Sequence, residues 1–71
     1  DGNNDEFIFF AADQIQYQMK IFDRWGGLQF QSNDLIANQS GWKGENCQPG
    51  VYVYLINSNH RQFSGNVTLF K

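Results

Sequence analysis

The sequence predicts an all-β fold, a small antiparallel sandwich, and three observations carry that expectation. Polar and apolar residues alternate in "QIQYQMKIF", the period-two signature of a strand with one buried and one wet face. Five readable strands are separated by clusters of Gly, Asn and Ser, the spacing of sequential antiparallel neighbours. No long window places apolar residues at spacings of three and four, and the stretch from Ser32 to Ser40 is the one place where a helical turn could hide.

Along the chain, "FIFFAA" is an apolar run too short for a helix and is expected as the first strand. In the second, Ile15, Tyr17, Met19 and Ile21 share one face, with Gln14, Gln16, Gln18 and Lys20 on the other. "DRWGGLQF" turns through Trp25, Gly26 and Gly27, glycines that accept positive φ at little steric cost, and leads into the strand "LQFQS" as a tight hairpin. "GWKGENCQPG" is a loop ending in the turn pair Pro49 and Gly50. In "GVYVYLINS", Val51, Val53 and Leu55 face one way and Tyr52, Tyr54 and Ile56 the other, so both faces are apolar and a central strand follows. The turn "NSNHR" then predicts a hairpin with "RQFSGNVTLFK", where Phe63, Val67 and Leu69 share a face and Gly65 marks a bulge or a close backbone approach.

The chain has 71 residues, enough for one domain that buries only about 60% of the surface its unfolded form exposes. Its aromatic share of 17% and its single proline set it apart from disordered sequences. Seven acidic and five basic residues are scattered without a block of either sign, which argues against nucleic acid as a partner. No apolar run approaches the roughly 20 residues of a membrane span. The opening "DGNNDEF" is expected to be a cut within a longer protein, with any export leader upstream.

Catalytic chemistry finds little support. His60 stands alone in a turn, where a solvated role is the ordinary one, and Cys47 has no second thiol with which to form a disulfide, a redox pair or a zinc site. Asp13, Asp23, Asp34 and Glu45 fall in separate segments, and no glycine-rich phosphate loop is present, so the chain is expected not to be an enzyme and to need no cofactor. Asp1, Asn3 and Asp5 alternate as oxygen ligands of a calcium loop do, although an Asx-rich turn explains the same residues with less. Trp25 and Trp42 have two readings: rings folded under loops to seal the core, or an exposed patch with Tyr52 and Tyr54 suited to a sugar or a protein.

Taken in order, "DGNNDEF", "MKIFDRWGGLQF", "GWKG", "PGVYVYLI" and "GNVTLFK" resemble the gliding-motility-associated C-terminal domain, the type B sorting domain of type IX secretion in Bacteroidetes. The resemblance covers essentially the whole chain. Asp1, Gly2, Asn4 and Asp5 match the family's opening, Arg24, Trp25 and Gly26 its Arg-Trp-Gly turn, and Trp42 and Gly44 its Trp-Asp-Gly. Pro49, Gly50, Tyr52 and Tyr54 loosely match its Pro-x-Gly-x-Tyr-x-Tyr-like strand, with Pro49 directly beside Gly50. Lys43 stands where the family has an acid, and the loop from Glu45 to Pro49 is short.

The resemblance implies an immunoglobulin-like sandwich spanning residues 1–71 at the end of a large secreted protein, often an adhesin. It implies outer-membrane translocon and attachment proteins as partners and display at the cell surface of a Gram-negative bacterium. The candidate recognition residues are then Arg24, Trp25, Gly26, Trp42, Gly44, Tyr52, Tyr54, Val67, Leu69 and the closing Lys71. The chief rival is a surface carbohydrate-binding or adhesive β module, whose ligands stack on aromatic rings. A structural repeat of a filament ranks after it, and an esterase or protease last.

Overall fold

The computed structural model describes residues 6–13, 15–44, 47–58 and 60–70. It is all-β among those residues, with β1 (Phe7–Ile8), β2 (Gln16–Phe22), β3 (Leu28–Ile36), β4 (Gly41–Trp42), β5 (Gly50–Ser58) and β6 (Arg61–Leu69). Four strands form an antiparallel sheet in the order β3-β2-β5-β6, and β1 pairs with β4 as a two-stranded sheet. The predicted sandwich is therefore present, with β5 inside its sheet as expected, although only its Tyr52 and Ile56 face is buried and Val51 and Val53 on the other face are exposed.

The alternation in β2 works as read: Tyr17, Met19 and Ile21 are buried while Gln16, Gln18 and Lys20 face solvent. Across the sheet, Leu35, Tyr52 and Ile56 join them, and Trp42 and Ala37 close the core. Each such side chain contributes about 1.5–3 kcal/mol on burial. Aromatic contacts tie the small sheet and the segment after it onto the large one. Phe7 packs on Tyr54 at 5.0 Å between ring centroids, Phe9 on Tyr17 and on Phe63 at 5.3 Å each, and Trp42 edge-on against Tyr52 at 5.2 Å.

β3 is longer than "LQFQS" suggests, and its pattern is hidden by two bulges. Pairing steps from Ile21↔Phe30 to Phe22↔Leu28, and from Met19↔Ser32 to Tyr17↔Leu35, so β3 carries one extra residue at each point. The first bulge turns Phe30 inward while Leu28 faces out, and the second brings Leu35 into the core. The helical turn thought possible between Ser32 and Ser40 is instead strand as far as Ile36. A turn follows, in which the N–H groups of Gln39 and Ser40 donate to the Ile36 carbonyl and Asn38 adopts φ 70°. A sixth strand, β4, was not anticipated because two residues inside a glycine-rich loop show no periodicity.

Asn38 also ties down the segment after β1. Its backbone N–H donates to the Phe9 carbonyl at 2.9 Å, and its side chain both accepts from the Ala11 N–H at 2.8 Å and donates to the Ala11 carbonyl at 2.9 Å. Pairing through Gly65 is unbroken, so of the two roles expected for this glycine it has the close approach: Tyr54 lies over it.

Candidate recognition surface

The β2–β3 hairpin is built by Asp23. One of its carboxylate oxygens accepts from the backbone N–H groups of Trp25 (2.9 Å) and Gly27 (2.8 Å), the other from Gln29 Nε2 (3.0 Å). Backbone bonds from Asp23 to Gly27 and from Gly26 back to Asp23, at 2.9 and 3.0 Å, close the turn, and Gly26 has φ 87°, a conformation that costs a side-chain-bearing residue strain. At this braced tip Trp25 is 78% exposed, and the Arg24 guanidinium carbon sits 4.3 Å from its ring centroid. The cation holds the indole by its face, a contact of about 0.5–1 kcal/mol at an exposed site. A large apolar ring is thus held out in water on a hairpin with little freedom left to lose. Asp23, which does the holding, was not singled out from the sequence. Its signal was there in an aspartate two residues ahead of a Trp-Gly-Gly turn, the placement of an Asx turn.

The other candidate residues divide by burial. Trp42 (4% exposed) and Tyr52 (7%) lie in the core, with the Tyr52 hydroxyl donating to the Gln48 carbonyl at 2.6 Å. Tyr54 is half-buried under Gly65. Of the two readings of the tryptophans, Trp42 therefore follows the core reading and Trp25 the exposed one, and the four aromatic rings do not form one open patch. Gly44 is buried with φ 74° and faces the Leu69 side chain. Val67 and Leu69 are half-buried on the inner side of β6, which forms one edge of the large sheet. Lys71, and the calcium candidates Asp1, Asn3 and Asp5, lie outside the described residues.

No three His, Cys, Asp or Glu side chains converge as a metal site would need among the described residues. No helix there is long and apolar enough to cross a membrane. A family model, the CHU_C Type IX secretion signal domain, matches residues 1–69. The chain belongs to that family. This type IX secretion signal domain is a sorting signal: it marks the protein that carries it for export by the type IX machinery, which recognises it. Secretion signal domains are a non-catalytic family. No curated protein and no solved structure matches the chain.

Proposed function

We propose that the type IX machinery reads this domain at the β2–β3 tip, through Arg24, Trp25 and Gly26, and along the β6 edge. The domain then sits at the end of a large secreted protein such as an adhesin, and outer-membrane translocon and attachment proteins hold it for display at the cell surface. The observation that carries this reading is the exposure of Trp25 on a turn that Asp23 braces at three points. A tryptophan fixed before binding adds contact area with little ordering cost, the usual character of a hot spot. The β6 edge offers unpaired backbone groups to strand addition.

The test is secretion of a folded reporter fused ahead of the chain in a host with a type IX system. Trp25→Ala should lower secretion of the fusion, and so should Asn66→Lys with Thr68→Lys, charges that oppose strand addition at an edge. A melting curve of each variant separates lost recognition from lost fold. Undiminished secretion with both sets of substitutions, in folded variants, would remove both surfaces from the mechanism.

A further inference from the structure

The β2–β5 ladder ends at Gln18↔Asn57. Beyond that pair the two strands follow different partners: Tyr17 and Gln16 stay with Leu35 and Ile36 of β3, while Ser58 pairs with Arg61 across the β5–β6 turn. The strands part, and a cleft of about 610 Å³ opens between them. That volume falls within the roughly 300–1,000 Å³ typical of small-molecule sites.

The lining is polar. Among the described residues, five carboxamides, Gln16, Gln18, Asn33, Asn57 and Gln62, line the opening, and Arg61 brings the one permanently charged lining group. Gln16 Nε2 is already engaged, donating to the Asn33 carbonyl at 3.0 Å and to an Asp34 carboxylate oxygen at 3.3 Å. The side chains of Gln18, Asn57, Gln62 and Arg61 have no hydrogen bond or ion pair with the described residues. Ser58 in the same lining is 6% exposed, and its hydroxyl has no partner there either. A buried hydroxyl without a partner is unfavourable, but this one is closed to solvent and is no contact point for a ligand as the strands stand.

We infer that this cleft binds a sugar acid, a saccharide unit with adjacent hydroxyls and a carboxylate. A carboxamide presents donors and an acceptor in one plane, which suits neighbouring hydroxyls that both give and accept hydrogen bonds. The planar guanidinium of Arg61 suits a carboxylate. An extended peptide is a poorer fit, because the cleft is carboxamide-lined rather than a run of side-chain pockets along a strand edge.

The test is an amide-resolved NMR titration of the 71-residue chain with galacturonate, galactose, acetate and trialanine. Galacturonate should give saturable shifts confined to residues 16–18 and 57–62, weakened at least tenfold by Arg61→Gln and by Asn57→Ala with Gln62→Ala. Trp25→Ala, at the other end of β2, should leave the binding unchanged, so a failure here is independent of the secretion result. The absence of saturable shifts at roughly 50 mM ligand, a concentration that fills even a millimolar site, overturns the inference. Equal binding of acetate or trialanine overturns the saccharide, and equal binding of galactose overturns the role of Arg61.

Discussion

Tyr54 and Gly65 face each other across the β5–β6 ladder, and the tyrosine ring fills the space a side chain at position 65 would need. A Cβ built there lies 2.7 Å from the Tyr54 hydroxyl oxygen and 2.9 Å from the carbon bearing it. The ring is itself packed against Phe7 at 5.0 Å between centroids, which limits how far it can yield. Gly65→Ala should therefore destabilise the domain by about 1–3 kcal/mol, the usual range for overpacking. Chemical denaturation checks this, and in a double-mutant cycle Tyr54→Ala should recover most of the loss.

Trp42 is the next case, because its place in the core decides how its variants behave. It packs edge-on against Tyr52 and leads out of β4, whose Gly41 N–H donates to the Glu6 carboxylate at 2.6 Å. Truncation to alanine should cost about 3–5 kcal/mol. In a domain of this size each kcal/mol lowers the melting temperature by roughly 4–8 °C, so Trp42→Ala should lower it by roughly 12–40 °C. Calorimetry would show it, and a Trp42→Ala variant that melts like the parent would place the ring at the surface instead.

The contrast between Trp42 and Trp25 shows how far the sequence reaches. Both tryptophans stand beside glycines, and period and composition treat them alike. What separates them is tertiary: Trp42 lies where β4 meets the inner face of β5, and Trp25 at a tip beyond both sheets. β2, with clean alternation, was legible residue by residue because burial of one face imposes the pattern directly, whereas the apolar Val51 and Val53 of β5 gave no sign that their face is exposed. β3 was legible as a strand in its first half but not in its faces, since each bulge inverts them and its alternation cannot be followed across one. The cleft at the β2–β5 divergence was not legible at all, since it depends on where one ladder stops rather than on which residues form it. Asp23 was readable in principle, through turn chemistry rather than hydrophobicity.

Tyr17 gives the domain a pH limit on the alkaline side. Its hydroxyl donates to the Ser40 carbonyl and accepts from the Phe9 N–H at 3.4 Å, well inside the core. Burial raises its pKa above the ordinary 10.0, and the Glu6 charge adds to this; the Phe9 bond opposes both without reversing the direction. With the folded pKa raised, the native state holds the proton after the unfolded chain has released it. The contribution is then complete below pH 10.0 and is lost as pH rises through the folded value. Melting temperature should be level from neutral pH to about 9 and fall above 10. Tyr17→Phe should flatten that alkaline fall, at a cost near neutrality of about 1 kcal/mol for the lost bond to Ser40.

Asp23 allows the rigidity of the tip to be tested apart from its chemistry. Trp25 is exposed and its main partner is Arg24, so Trp25→Ala should change stability by no more than about 1 kcal/mol while lowering secretion. Asp23→Ala leaves the ring and Arg24 in place but removes the acceptor for three donors, each worth about 0.5–1.5 kcal/mol. Amide exchange at Trp25 and Gly27 should speed up markedly in that variant, and secretion should fall toward the Trp25→Ala level. Asp23→Asn keeps one carbonyl oxygen for the two backbone donors and loses the acceptor for Gln29, so it should lie between the two. If Asp23→Ala loosens the hairpin by exchange yet secretes as well as the parent, the machinery needs the indole but not its fixed position, and preorganisation drops out of the mechanism.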